Sequence, residues 1–212
     1  MAASVILLAA CKKEKDEMKM IITAKNTNRM QFSMAGSGTV TIDWGDGTKE
    51  TVAVADNSNW PGLQVYIPPE FTFRRDYSAS STYTITVTGK ITHMFCSDFE
   101  MTNFDVSKNV ALEWFACFNN QLTSLNVTRN TALKNLYCFD NQLTVLDIKK
   151  NTALEYLSIR NNLFRTEAIN DIFRALLVNT DVAVYRRVFI SGNPGTDDCD
   201  RSIAENKGWF VN

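Results

Sequence analysis

Three cysteines recur at a fixed interval, Cys96, Cys117 and Cys138 lying 21 residues apart. Thiolates suit zinc and copper(I), so such a column invites a metal reading. The spacing suggests no fourth ligand, however, and the sixth place of each repeat points inward, where a neutral thiol packs as a small hydrophobe. Disulfides between the three are not expected, because in-register side chains point the same way rather than toward each other. Cys199 has no evident partner. The single histidine, His93, stands three residues before Cys96. On a strand the two face opposite sides, which argues against a Cys-His nucleophilic pair. Asp98 and Asp140 hold equivalent places two repeats apart. At the ordinary strand spacing they would be roughly 10 Å apart, at or just beyond the upper edge for an inverting glycosidase pair. A glycoside hydrolase using Asp98 and Asp140 is therefore only a remote expectation; no enzymatic activity and no cofactor or metal are implied.

The elements that must position these residues repeat with the same period. Aligned by 21, the chain reads ITHMFCSDFEM (91–101), LEWFACFNNQL (112–122), LKNLYCFDNQL (133–143) and LEYLSIRNNLF (154–164). Between them FDVSKN, LNVTRN and LDIKKN end at Asn109, Asn130 and Asn151. The last three long strings fit LxxLxLxxNxL with Cys or Ile at the sixth position, and this resembles the leucine-rich repeat of bacterial surface lipoproteins. The resemblance implies a solenoid with a parallel β-sheet. One coil cannot bury its apolar side alone, so rungs stack into a continuous core. Asn120, Asn141 and Asn162 are expected to form a ladder of amides where the chain leaves each strand. Phe99 takes that place in the first string, with Met94 and Met101 for leucines, so this rung is expected to be the junction with what precedes it.

By alternation, the third, fifth and seventh positions of each string face outward on the concave sheet. Among them Phe95, Trp114, Phe118, Tyr137, Phe139 and Tyr156 are expected to form a contiguous aromatic patch with Arg160 at one edge. Aromatic and arginine side chains are favoured interface anchors, so this is the candidate ligand-binding surface. It would be open only if residues 55–80 or a partner do not cover it. An extracellular protein, host proteins included, is the leading partner, as in adhesion. A glycan stacking on the same rings is the alternative.

Residues 18–90 read as a small β domain. MKMIITA, MQFSM, TVTIDW, ETVAVA and TYTITVTG are short, Thr- and Val-rich strands separated by Gly, Asn or Asp. Trp44, Gly45, Asp46 and Gly47 make a tight turn, followed later by Tyr77, Tyr83 and Val87. This pattern resembles the PKD-type immunoglobulin-like β-sandwich, generally a spacer or adhesive module. Asp43 and Asp46 could suit calcium, but Asp in such a turn more often bonds its own backbone.

At the N-terminus, Leu8 to Cys11 read LAAC after an apolar run and before KKEKDE (12–17). This is similar to a bacterial lipobox, which implies lipidation of Cys11, a signal and charged tether over 1–17, and an outer-membrane or cell-surface location. The basic n-region expected of such a signal is missing. The formal net charge of −1 provides no footprint for nucleic acid. After the array, TEAINDIFRALLV (166–178) reads as an amphipathic helix with Thr166 as N-cap and Leu176 and Leu177 on its apolar face. Ile190 takes the place of Ile159 in a lengthened coil, and a short helix over 200–207 precedes Trp209, Phe210 and Val211. The expected fold is α+β multidomain: an immunoglobulin-like sandwich over 18–90, then a leucine-rich repeat with a helical cap over 91–212.

Overall fold

The computed structural model describes residues 17–23, 29–56, 72–79, 81–181 and 183–212. Cys11 lies outside them, as do residues 57–71 and 80 of the segment that could cover the concave face. The described chain is mostly β-sheet with two short helices.

The N-terminal strands are β1 (Glu17–Thr23), β2 (Arg29–Asp43), β3 (Lys49–Ala53), β4 (Thr72–Asp76) and β5 (Thr82–Phe95). Two pairs of segments expected to be separate strands are fused. MQFSM and the TVTID of TVTIDW both belong to β2, and TYTITVTG continues through ITHMF as β5. The glycines between them make irregularities rather than chain reversals: the β2–β5 register shifts between Ala35 and Gly36 and again between Ser37 and Thr41. Gly36 lies so close to its neighbour that a Cβ there would meet the Lys90 carbonyl oxygen at 2.1 Å. A bulge bends a strand without ending it.

This fusion makes β5 the hinge pin of the architecture. One edge pairs antiparallel with β2 over most of its length. The other pairs antiparallel with β1 through residues 82–88, then parallel with β7 through residues 93–95. The expected boundary between residues 90 and 91 therefore falls inside a single strand, and the sheet is continuous across it.

From there the chain coils. Strands β7 (Trp114–Ala116), β8 (Asn135–Tyr137), β9 (Tyr156–Ser158), β10 (Arg187–Phe189) and β11 (Phe210–Val211) stack in parallel, with β6 (Asn103–Asp105) pairing back to β1. Leucines at equivalent places of successive coils, among them Leu112, Leu133 and Leu154, are at most 2% exposed. Each contributes about 1.5–3 kcal/mol by leaving water. Met94, Cys96 and Met101 of the first rung are fully buried in the same core, which runs without a break from Trp44 to Trp209.

Only three residues per coil pair as strand, so other groups must satisfy the remaining backbone. The Asn141 amide nitrogen donates to the carbonyls of Cys117, Cys138 and Phe139, and its oxygen accepts from Leu122 N–H at 3.0 Å. Asn120, Asn162 and Asn193 repeat the arrangement, and Asn120 accepts from Phe99 and Met101 N–H in the junction rung. A second buried column binds Asn130 to the Val106 and Asn109 carbonyls, and Asn151 to those of Val127 and Asn130.

The cap departs from the expected helix at both ends. Helix α1 (Thr166–Ala175) starts after Arg165 with no side-chain cap, and Thr166 is its first helical residue. Leu176 is buried in extended conformation, while Leu177 is 45% exposed. The stop is enforced from outside: the Lys207 ammonium donates to the carbonyls of Phe173, Arg174 and Leu176, and the Trp209 indole N–H to Leu177 O. Helix α2 (Ser202–Glu205) closes the last rung.

Asn141→Ala strips one N–H and three carbonyls of a partner where water cannot replace it, and is expected to lower the unfolding free energy by about 3 kcal/mol. The adjacent exposed Gln142→Ala should stay within about 0.5 kcal/mol. Denaturant titration of the two variants checks the contrast; equal losses would mean the amide ladder is not what holds the rungs.

Candidate functional site

The concave face is set by strand register. Trp114 pairs with His93 on one side and Asn135 on the other, and Tyr156 pairs with Asn135 and Arg187. Outward side chains of adjacent rungs therefore sit one strand spacing apart. The rings do meet: Trp114 and Tyr137 centroids are 5.2 Å apart, Tyr137 and Tyr156 4.6 Å, and Phe118 and Phe139 4.2 Å. All six aromatic residues expected on this face belong to one cluster.

Their depths differ, which alternation cannot reveal. Trp114 is 5% exposed and Tyr137 9%, so these two form the floor of the patch rather than its contact surface. Phe95, Phe118, Phe139 and Tyr156 are partly buried, and Arg160 is exposed with its guanidinium carbon 5.2 Å from the Phe139 centroid. Burial pushes the Tyr137 hydroxyl up to about 12 and also raises that of Tyr156, which Arg160 and Arg187 partly offset.

The face also extends further than the 21-residue alignment indicates. Phe189 of β10 lies 5.1 Å from Tyr156, and Arg187 stands over Tyr185 at 4.3 Å. Tyr185 in turn meets Phe210 of β11, and both rings are exposed. The signal was present: aligning Ile190 with Ile159 puts Phe189 at the fifth position, in line with Tyr137.

Of the groups with chemical potential, the three repeat cysteines sit fully inside. Burial raises the thiols of Cys96, Cys117 and Cys138, the last to about 12. The Cys96 thiol approaches the Met101 sulfur, and that of Cys138 the Ser158 carbonyl. Asp98 and Asp140 fall in one column with Asn119 between them, all at left-handed bends. Asn119 donates to Asp98 at 2.9 Å and Asn161 to Asp140 at 2.6 Å. The column ends at Gly192, also left-handed, where a Cβ would meet the Asn161 amide oxygen at 1.9 Å.

In the N-terminal turn, Asp43 accepts from Gly45 N–H and pairs with Lys49. Asp46 accepts from the Thr48 N–H and hydroxyl and pairs with Arg75 at 2.6 Å. Burial opposes ionisation of Asp46, yet these partners hold its carboxyl below the usual range. Both carboxylates thus bind their own turn and neighbouring cations. Trp44 is buried, and the Tyr77 hydroxyl donates to its carbonyl at 2.8 Å. No cluster of three or more metal-ligating side chains occurs among the described residues.

No family model matches the chain, and no curated protein matches it. A solved structure does. The functional domain of InlJ from Listeria monocytogenes, described as including a cysteine ladder, matches 54% of this chain and 23% of its own, at 26% identity and a TM-score of 0.43. The chain thus spans under a quarter of that structure's length.

A separate groove of about 410 Å³ lies between residues 145–149 and α1, lined by Val145, Leu146, Ile148 and Ala168 among others. It is a gap between coil and helix and contains none of the rings.

His93 opens the concave row, stacked on Trp114 with centroids 6.5 Å apart. Burial pushes its imidazole down to about 4 from 6.5, with Glu113 pulling partly back. Between these values the unfolded chain takes up a proton that the folded chain refuses. Stability is therefore expected to fall as pH drops from 6.5 toward 4. His93→Gln should flatten that limb relative to the parent, as followed by denaturation midpoints across the range; parallel profiles would place the histidine in water.

Proposed function

We propose that this chain is a non-catalytic binding module of the bacterial cell surface. In this reading a PKD-like β unit carries a short leucine-rich repeat, a lipid on Cys11 tethers both to the outer membrane, and the concave face recognises a protein partner. No helix among the described residues is long and apolar enough to cross a membrane, so attachment in this proposal rests on the lipid.

The observation that carries the reading is the unbroken row of rings Phe95, Trp114, Tyr137, Tyr156 and Phe189, one from each successive parallel strand. Rings held by their neighbours lose little freedom on binding, which is why aromatic anchors dominate interface energies.

The same geometry favours a protein over a glycan. Sugars stack on the open flat face of a ring. Phe118 and Phe139 instead lie face to face at an interplanar angle of 9°, and Arg160 stands over the Phe139 ring. Phe95 meets Phe118 edge to face. What these rings offer outward is chiefly their edges, suited to aliphatic and aromatic side chains.

A photo-crosslinking residue at Phe139, in cells displaying the protein, is expected to trap a discrete protein. The same residue at Val145, which is 67% exposed outside the sheet, should not. With the partner in hand, Tyr156→Ala is expected to weaken binding at least tenfold, about 1.4 kcal/mol. Adducts from Val145 alone, or glycan binding abolished by Tyr156→Ala, would sink the protein reading.

A further inference from the structure

The concave face carries two arginines with no ion-pair partner among the described residues. Arg160 and Arg187 are both exposed and stand over rings, Phe139 and Tyr185 respectively. The ion pairs among the described residues involve neither. None of the outward positions of the sheet from His93 to Phe210 holds Asp or Glu. Acidic groups stand on the rims of this face: Glu113 pairs with Lys134, Asp98 and Asp140 accept from Asn119 and Asn161, and Glu155 adjoins Lys134 in the column of Glu113.

The two arginines bracket the half-buried rings of Tyr156 and Phe189. Arg187 is in register with Tyr156, and Phe189 on the same strand packs on Tyr156. Arg160 lies four residues further along the chain from Tyr156. At about 3.3 Å per residue along a strand and 4.8 Å between strands, the two α-carbons are roughly 14 Å apart. Four residues of an extended peptide cover roughly 13 Å.

Resting on the binding role assigned to this face, we infer that the partner segment is an extended acidic peptide. Two carboxylates, about four residues apart, pair with Arg160 and Arg187 while an apolar side chain between them meets Tyr156 and Phe189. Exposed arginines already stacked on rings are partly pre-organised, and a guanidinium can take a carboxylate in bidentate fashion. The pairing supplies selectivity and speeds encounter, while the rings supply area.

The test pans a library of random linear peptides against the full chain and measures recovered sequences by fluorescence polarisation. The expected winners carry acidic residues on both sides of an apolar one and weaken as salt is raised. Arg160→Gln and Arg187→Gln should each reduce affinity about 5- to 10-fold, and the double variant roughly 50-fold. Both side chains are exposed, so the variants should keep the parent circular dichroism and melting. The double change to Glu should reverse selection toward basic peptides.

Neutral winners, or acidic ones indifferent to the double Gln variant yet lost on Tyr156→Ala, would overturn the acidic pairing and leave the face as a binding site. Winners indifferent to Tyr156→Ala and Phe139→Ala would overturn both readings. Failure to recover any peptide overturns the inference, as does binding of polygalacturonate that the double Gln variant abolishes while peptides stay silent. The polygalacturonate result would assign the arginines to an acidic glycan.

Discussion

A coil of 21 residues with a three-residue strand leaves most of its backbone outside any sheet, and the buried asparagines resolve this. Each of Asn120, Asn141, Asn162 and Asn193 places an amide nitrogen against carbonyls of its own rung and the preceding one, while its oxygen takes an N–H from the preceding rung. A leucine here would fill the space and leave those groups without partners, at about 1–3 kcal/mol each. The ladder also sets geometry. Because every rung is stapled to the last by the same bonds, outward side chains arrive at one strand spacing, and the rings touch at 4.2 to 5.2 Å. The concave surface is thus a consequence of what is buried behind it.

A repeating array needs a first rung that is not a copy, and β5 provides it. Its early residues belong to an antiparallel unit, its last three serve as the parallel neighbour of β7, and Cys96 and Met94 fill the same core as later rungs. Where the second ladder begins, the constraint shows through: Asn109 is 1% exposed and its side-chain amide has no hydrogen-bond partner among the described residues. At the far end, Lys207 and Trp209 reach back across more than 30 residues to close the open carbonyls of α1. The array is held at both ends by side chains outside its repeat.

The period was legible in the sequence because identical contacts demand identical residues: leucine and cysteine inside, asparagine at the exit. Two things were not. Glycine punctuates both turns and bulges, so Gly36 and Gly89 read as breaks in what are long strands, because only the partner strand decides between the two. Alternation gives the side on which a residue lies but not how deeply it is covered. Trp114 and Tyr137 were therefore placed on the correct face without their burial being visible. Phe189 and Arg187 fell outside the pattern because α1 lengthens their coil to 31 residues, which a 21-residue alignment does not follow.

The rims of the sheet show what stacking does to charge. Identical residues in a column sit about 4.8 Å apart, where two like charges repel by about 1 kcal/mol even in water. The column at the strand exit alternates Asp98, Asn119, Asp140 and Asn161, giving each carboxylate a donor from the next rung. The column at the strand start alternates Glu113, Lys134 and Glu155, with Lys134 paired to Glu113 at 2.8 Å. Both rims are arranged so that stacking neutralises rather than accumulates charge. Arg160 and Arg187 follow neither rule, since they share no column and have no ion-pair partner among the described residues. In a fold whose periodicity makes compensation easy, two arginines stacked on rings and without an ion pair among the described residues mark where the surface has been shaped by something other than its own stacking.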